Sequence, residues 1–284
     1  MSWILPALLL LPPATLAILH LGFRAPRRRE RSDPSAAGMR FREVTIPTVR
    51  DLPLRGWLIE RRHGGSDDAP TVVIVHGWGA NMELMLPLAR PFHDAGFRCL
   101  LFDARNHGSS SRDGHSSMPK FAEDAEAALD WLNAAGLHGP RILVGHSIGA
   151  AAALLAASRR RDVTGVIAIA AFAHPARLMA RGLRRLHLPA PVIRAILRYI
   201  EWVIGHDYDE IAPENVICGV HCPVLLAHGT ADRVIPIADM DRIARCRGKN
   251  IRTLRVEGAD HDSVDLLTAN ADRLVDFARQ ASLP

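Results

Sequence analysis

The residues with the clearest chemical meaning are 145–149, which read Gly-His-Ser-Ile-Gly. This G-x-S-x-G element follows an apolar run at 141–144 and precedes an alanine-rich stretch at 150–157, which favours a helix. A serine on a sharp strand-to-helix turn needs neighbours without Cβ atoms, and the two glycines meet that need. The helix would start at Ser147, with its N-terminal N–H groups beside the Oγ atom. The pattern predicts a nucleophilic serine, the alternative being an ordinary turn.

A serine hydroxyl becomes a useful nucleophile only when a base takes its proton and a carboxylate orients that base. Two later loops supply such groups, because Asp232 follows a predicted strand at 223–227 and His261 follows another at 251–256. Loops after neighbouring parallel strands meet at the same edge of a sheet. We therefore predict that Ser147, Asp232 and His261, in that chain order, form one catalytic site.

Two further carboxylates compete with Asp232 for the role of orienting the base. Asp260 and Asp262 flank His261 directly, and both stay open as alternatives. Their adjacency is against them, because a neighbour along the chain seldom reaches the Nδ1 atom of a histidine with good geometry. His146 precedes the serine, and it is expected to pack or hydrogen-bond beneath the turn.

Strand and helix patterns alternate from residue 71 onward, after two strands that form a pair. This order predicts an α/β fold with a mostly parallel, doubly wound sheet covered on both faces. Helices are predicted at 83–94 and at 120–133, where apolar residues recur at helical spacing. The predicted strands are 41–46, 54–60, 71–76, 97–102, 141–144, 163–170, 223–227 and 251–256.

The interval between the sixth and seventh predicted strands carries two helical patterns and no strand signal. It predicts a helical cap, at about 172–215, inserted after strand 6 over the C-terminal edge of the sheet. Arg177, Arg181, Arg184 and Arg185 fall on one face of the first pattern. Two interpretations of that face are open, a solvated side of an amphipathic helix or a basic surface attracted to anionic lipid headgroups.

Composition excludes several classes of protein. Of 284 residues, 48% are hydrophobic, and 35 basic residues only slightly exceed 30 acidic ones. Much of the excess sits in two local clusters, so no nucleic-acid partner is predicted. Of Cys99, Cys218, Cys222 and Cys246, only the middle two are close in sequence, without the second pair that a zinc site needs. We predict no metal site and reduced, mostly buried thiols, which suit a cytosol-facing domain.

The N-terminus differs in kind from the rest of the chain. Residues 3–23 carry no formal charge, and as a helix they would span ~32 Å against a hydrocarbon core of ~30 Å. An arginine-rich segment follows at once. The positive-inside rule then predicts a transmembrane anchor at 1–23, a basic linker at 24–39 and a catalytic domain at 40–284 in the cytoplasm. Prolines within the apolar run leave a signal peptide or a buried amphipathic segment as alternatives.

Taken together, these motifs resemble the α/β-hydrolase superfamily, particularly its capped serine hydrolases that act on lipid or acyl esters. The similarity runs from about residue 40 to the C-terminus. It implies an α/β-hydrolase fold in which Ser147 is the nucleophile, Asp232 the acid and His261 the base.

Two further loops carry the resemblance. Residues 76–79 read His-Gly-Trp-Gly and imply that the backbone N–H groups of Trp78 and Ile148 form an oxyanion hole, with His76 holding the loop. Residues 103–110 are similar to the family's D-x-R-G-H-G-x-S loop, with Asn106 in place of a glycine. Asparagine tolerates positive φ better than most residues, so this loop is expected to be structural.

The implied activity is that of a serine esterase or lipase-like hydrolase. It would cleave carboxylic esters, above all lipid or acyl esters, through an acyl-enzyme and without a metal or organic cofactor. Its partners would be a small-molecule or lipid ester and a membrane, contacted through the N-terminal helix and the basic cap. A peptidase, a thioesterase or an acyltransferase could use the same residues. A non-catalytic binding protein of this fold is the alternative from another class.

Overall fold

One eight-stranded sheet positions the candidate residues in the computed structural model, which describes residues 24–62, 67–246, 250–263 and 270–283. The strand order is β1-β2-β4-β3-β5-β6-β7-β8. The β1–β2 and β2–β4 pairs are antiparallel, and the other neighbours are parallel. The strands are β1 Phe41–Pro47, β2 Pro53–Ile59, β3 Thr71–Val75, β4 Arg98–Phe102, β5 Arg141–His146, β6 Gly165–Ile169, β7 Val224–Gly229 and β8 Ile251–Val256.

Helices cover both faces of this sheet, as the alternating pattern predicts. The described α-helices are α1 Leu86–Asp94, α2 Met118–Ala134, α3 Ile148–Arg159, α4 Pro175–Arg185, α5 Ala190–Ile204, α6 Tyr208–Ile211, α7 Pro213–Val216, α8 Ala238–Ile243 and α9 Ala271–Ala281. Short 3-10 turns occur at Pro34–Ala37, Val49–Asp51, Glu83–Met85 and Ile217–Gly219.

The core lies in two layers, one on each side of the sheet. One apolar cluster packs α2 and α3 against the sheet, and the other packs α1 and α9 against the opposite face. Strands β3, β4 and β6 are buried along their whole length, because both of their faces are covered. This burial explains why their sequences are continuous apolar runs rather than alternating ones. The α/β-hydrolase fold with a mostly parallel, doubly wound sheet is confirmed.

Between β6 and β7 the chain is helical, forming α4, α5 and the shorter α6 and α7. Two of its arginines contact carboxylates of other helices. Arg177 forms an ion pair with Glu214, and Arg181 lies 3.5 Å from the buried carboxylate of Asp239 in α8. These contacts hold α4 to the rest of the domain, whereas Arg184 is exposed as the solvated face predicts.

Part of the segment predicted as a basic linker, 24–39, is docked on the domain. Arg27 Nε donates to Gly108 O at 2.6 Å, and the backbone N–H of Arg31 donates to Glu83 Oε2 at 2.7 Å. Asn81 Nδ2 lies 3.3 Å from the carbonyl oxygen of Arg28. Polar composition alone does not reveal this docking, because the partners lie more than fifty residues away in sequence.

The cysteine prediction was wrong for two of the four residues. Cys218 and Cys246 form a disulfide, with their Cα atoms 5.7 Å apart, whereas Cys99 and Cys222 are free thiols. Spacing could not reveal the pair, because its members are 28 positions apart in sequence, with β7 and α8 between them. Disulfides persist in oxidising compartments. The cysteines therefore give no support to a cytosol-facing domain, and that prediction depends on the arginine-rich segment alone.

The predicted anchor at 1–23 lies outside the described residues. Within the described ranges, no helix combines the length and the apolar character needed to cross a bilayer. The membrane anchor and the cytoplasmic placement of the domain stay predictions.

Candidate active site

Ser147 occupies a sharp turn between β5 and α3, where it is the N-cap residue of the helix. Its φ of 56° and ψ of −118° lie in a region that non-glycine residues rarely adopt. The turn depends on close backbone approach on both sides of the serine. A Cβ atom added to Gly145 would lie 2.3 Å from Gly149 O, and one added to Gly149 would lie 2.4 Å from Val75 O. The strand-to-helix turn predicted from G-x-S-x-G is confirmed, with a steric reason for both glycines.

We expect Gly149→Ala to reduce activity strongly and to lower the free energy of unfolding by about 2 kcal/mol or more, because β3 would have to move away from the turn. Urea unfolding and ester turnover would measure the two effects. Gly182→Ala is the matched control, since Gly182 lies inside α4 and a Cβ there meets no atom within 4 Å. That control should stabilise the helix by up to about 1 kcal/mol. Equal behaviour of the two variants would contradict the steric argument.

The structure brings Ser147, Asp232 and His261 together although they are far apart in sequence. His261 Nε2 lies 3.1 Å from Ser147 Oγ, and His261 Nδ1 lies 2.8 Å from Asp232 Oδ2. Asp232 follows β7 and His261 follows β8, so both loops reach the same sheet edge as the β5–α3 turn. A carboxylate can only accept, so Nδ1 carries the proton and Nε2 is left to accept from the serine hydroxyl.

The environment of Asp232 keeps its side chain ionised. Burial raises the pKa of Asp232, but hydrogen bonds to His228, to His261 and to the Ile235 N–H outweigh it and hold the pKa well below its ordinary value. The Oδ1 atom accepts from the Val234 and Ile235 N–H groups, each at 2.8 Å. Oδ2 therefore faces the imidazole as a fixed negative charge.

Of the two alternative carboxylates, Asp260 has other partners, and neither is placed against Nδ1 of His261 by a hydrogen bond. Asp260 Oδ1 accepts from the Ser263 hydroxyl at 2.6 Å and from the Asp262 N–H at 3.1 Å, so it belongs to a local turn. Asp260 and Asp262 are both exposed. The geometry places Asp232 against Nδ1 of His261.

Two other histidines, His146 and His76, support the backbone around the site. His146 Nε2 lies 2.9 Å from His261 O, and burial, together with the nearby His261 ring, lowers the pKa of His146. His76 Nδ1 donates to Gly77 O at 2.7 Å, while its Nε2 accepts from the Ala104 N–H at 3.0 Å. Burial, with His107 nearby, lowers the pKa of His76 to about 3. Both histidines support neighbouring backbone, as the sequence predicts.

The sequence analysis missed His228. This side chain is buried, and its Nε2 lies 2.8 Å from Ile235 O and 3.4 Å from Asp232 Oδ2. His228 therefore joins the two ends of the loop that carries Asp232 and holds that loop in place. Its place at the end of β7, four residues before Asp232, was the available signal, but spacing alone does not show which way the side chain points.

The two predicted oxyanion donors border the serine. A Cβ atom added to Gly77 would lie 3.6 Å from Ser147 Cβ, so the loop carrying Trp78 passes directly beside the serine. Ile148 is the first residue of α3, and its N–H has no acceptor within the helix. Trp78 and Ile148 both line the cavity that contains Ser147.

The loop after β4 is structural, as its sequence suggests. Asn106 has a φ of 69°, the left-handed conformation expected where the family pattern has glycine. The carboxylate of Asp103 accepts from the Met82 and Ser109 N–H groups, each at 2.8 Å, and so ties this loop to the one after β3. Burial, and the nearby carboxyl of Glu30, raise the pKa of Asp103 to about 8.

An apolar cavity of about 310 Å³ opens over Ser147. It lies between the C-terminal edge of the sheet and the helical segment that follows β6. Within the described lining there is no aspartate, glutamate, lysine or arginine. The lining residues are Trp78, Ser116, Ser117, Met118, Pro119, Ser147, Ile148, Phe172, Pro175, Leu178, Met179, Ile200, Ile204, Tyr208 and Ile211.

Among the described residues, no group of three or more histidine, cysteine, aspartate or glutamate side chains could hold a metal ion. The hydrogen-bonded residues themselves can carry out acyl transfer, because they supply a hydroxyl, a base and an orienting charge.

The fold agrees with comparisons to known proteins. The model of the family described as serine aminopeptidase, S33, matches residues 67–206. The esterase Pf2001 of Pyrococcus furiosus superposes with a TM-score of 0.74 at 20% identity, over 92% of this chain and 98% of the esterase. The chain has the α/β-hydrolase fold, and its residues 67–206 match a family of hydrolases.

Two relatives illustrate the range of similar sequences. Rv2307c of Mycobacterium tuberculosis is 28% identical over 228 residues, which cover 80% of this chain and 74% of that protein. The sn-1-specific diacylglycerol lipase ABHD11 of Mus musculus is 34% identical over 116 residues, which cover 40% of this chain and 35% of the lipase.

Proposed function

We propose that this protein is a serine hydrolase of carboxylic esters whose acyl group occupies the apolar cavity over Ser147. The observation that carries the proposal is the hydrogen-bonded chain from Ser147 through His261 to Asp232, in which Ser147 lines that cavity. A hydroxyl, an oriented imidazole and an ionised carboxylate are the groups that acyl transfer requires.

The chemistry follows from the direction of these hydrogen bonds. Ser147 Oγ attacks the ester carbonyl carbon while His261 Nε2 takes the hydroxyl proton, and Asp232 stabilises the imidazolium that forms. The N–H groups of Trp78 and Ile148 receive the developing oxyanion, each worth about 3 kcal/mol in transition-state stabilisation. His261 then protonates the leaving alcohol. Water, activated by the same imidazole, attacks the acyl-enzyme and releases the acid.

The cavity lining favours acyl esters over charged substrates. Burying one methylene group contributes about 0.8 kcal/mol to binding, so each carbon added to an acyl chain should strengthen its binding in an apolar cavity. The similarity of part of the chain to a diacylglycerol lipase supports a lipid ester as the natural substrate. A thioester or an acyltransferase reaction would use the same residues, with a thiol as leaving group or an alcohol as acceptor.

A peptidase is the rival that the matching family's description raises. An aminopeptidase must bind a protonated α-amino group, which in a buried site needs a carboxylate or several acceptors. The described lining of the cavity contains no carboxylate. The apolar lining therefore favours the ester over the aminoacyl substrate.

A series of p-nitrophenyl esters of increasing acyl length, compared with aminoacyl p-nitroanilides, tests this proposal. We expect kcat/KM to rise about fourfold per methylene until the cavity is filled, with negligible turnover of the anilides. Ile204→Trp, which narrows the cavity, should move the optimum to shorter esters. Leu186→Trp is the matched control, because Leu186 is 68% exposed and outside the lining. Faster turnover of the anilides than of any ester would overturn the proposal.

A further inference from the structure

A second cavity, of about 380 Å³, is lined mainly by arginine. It lies beside the loop after β4 and shares no lining residue with the cavity over Ser147. Three arginines, Arg24, Arg27 and Arg112, line it from two separate parts of the chain. The full lining is Arg24, Ala25, Arg27, Asn106, Arg112 and Gly114.

Several other arginines of the domain are paired with carboxylates. Arg105, Arg141 and Arg160 each pair with at least one carboxylate. By contrast, no carboxylate of the described residues lies within ion-pair distance of Arg24, Arg27 or Arg112, and none lines the cavity. The cavity therefore concentrates positive charge, and none of its lining residues carries a negative charge.

Arg27 is held rigidly in this arrangement. Its Nε donates to Gly108 O at 2.6 Å, and its Nη2 donates to Ser110 O. These acceptors are neutral carbonyls, so they fix the position of the guanidinium without cancelling its charge. A side chain already ordered loses little further entropy when it binds a ligand.

Burial and the neighbouring arginines both change the pKa of Arg27. Burial lowers the pKa of Arg27, and the charges of Arg112 and Arg29 lower it further, while Asp103 and Glu30 act in the opposite direction. The Glu30 carboxylate is already engaged with the Ser109 hydroxyl at 2.6 Å. An anion in the cavity would relieve the repulsion between Arg27 and Arg112.

We propose that this cavity binds a phosphate group. Guanidinium groups donate paired, charge-assisted hydrogen bonds that match phosphate oxygens, and three of them around one space can satisfy a dianion. The volume exceeds that of the ion alone, so a phosphate ester fits with its organic group. Two sources carry this chemistry, a phospholipid headgroup and a free phosphate ester. The sequence supports the first, because Arg24 directly follows the uncharged residues 3–23.

The test uses the full-length chain in a neutral detergent at fixed ionic strength, because salt screens exposed charges. Calorimetric titration with inorganic phosphate, dihexanoyl phosphatidic acid and dihexanoyl phosphatidylcholine measures the Kd of each. We expect inorganic phosphate and dihexanoyl phosphatidic acid to bind saturably. Arg112→Gln should weaken the binding of both about tenfold. Arg112 is exposed, so the variant should keep its fold, which thermal unfolding verifies.

Arg161→Gln is the matched control. Arg161 is also exposed, but it lies between α3 and β6 and so at the opposite edge of the parallel sheet from the loop after β4. Tighter binding of phosphatidic acid than of inorganic phosphate would identify a headgroup site, and equal binding a site for a free phosphate ester. Absence of saturable binding by both probes, or equal weakening by Arg112→Gln and Arg161→Gln, would overturn the proposal. The titrations are made on Ser147→Ala protein, so none of these outcomes depends on ester hydrolysis, and phosphatidylcholine controls for binding of the acyl chains.

Discussion

Replacement of Ser147 by alanine is expected to lower kcat for ester hydrolysis by roughly 10⁴–10⁶-fold. The variant removes the hydroxyl oxygen that lies 3.1 Å from His261 Nε2 and is proposed to form the acyl-enzyme, whereas the cavity and the two proposed oxyanion donors remain. KM should therefore change little. Covalent labelling by a fluorophosphonate, which reports the nucleophile directly, should disappear in the variant.

The matched control for this experiment is Ser158→Ala. Ser158 is near the end of the same helix, where its hydroxyl donates to Leu155 O at 2.7 Å, away from the cavity. We expect full labelling and near-normal turnover in that variant. Wild-type protein that is folded but neither labels nor hydrolyses any ester would favour the non-catalytic binding protein.

Asp232→Asn is expected to lower kcat by about 10⁴-fold, with a similar loss in kcat/KM. An amide can present its NH₂ group to the imidazole, which would move the ring proton from Nδ1 to Nε2 and leave no acceptor for the serine proton. The size of the substitution is conserved, and the other carboxyl oxygen can still accept from the Val234 and Ile235 N–H groups. The variant should therefore fold normally, as thermal unfolding can verify.

The Asp260→Asn variant tests whether activity needs the hydrogen bond from His261 to Asp232 or only a negative charge near His261. Asp260 is exposed and bonded to Ser263, so we expect its variant to keep turnover within about twofold of the wild type. A larger loss of kcat in Asp260→Asn than in Asp232→Asn would mean that the loop after β8 supplies its own carboxylate. In that case the hydrogen bond between His261 and Asp232 would be structural.

The elements around the site could be predicted because their signals are local. The β-branched run at Thr71–Val75 and the small residues of Ile148–Arg159 fold as their propensities indicate. Their alternation along the chain implies a parallel sheet, and a parallel sheet brings loop residues to one edge. Ser147, Asp232 and His261 could be grouped on that reasoning before any distance was known.

Local signals also have a limit, which the cap arginines illustrate. Helical spacing placed Arg177 and Arg181 on one face of a helix, and the structure agrees. Whether that face meets water, lipid or protein depends on Glu214 and Asp239, which lie far along the chain. Periodicity reports which residues share a face, but it does not identify what covers the face.

The amino-acid sequence by itself determined the order of strands and helices, the turn that exposes Ser147, and the positions of the base and acid after the last two strands. Each of these depends on contacts between near neighbours or on the geometry that all parallel sheets share. Only the tertiary structure decided that Cys218 bonds to Cys246, that His228 supports Asp232 and that Arg24, Arg27 and Arg112 line one cavity. These pairings join distant parts of the chain, and no periodic pattern encodes which surfaces will meet when the domain packs.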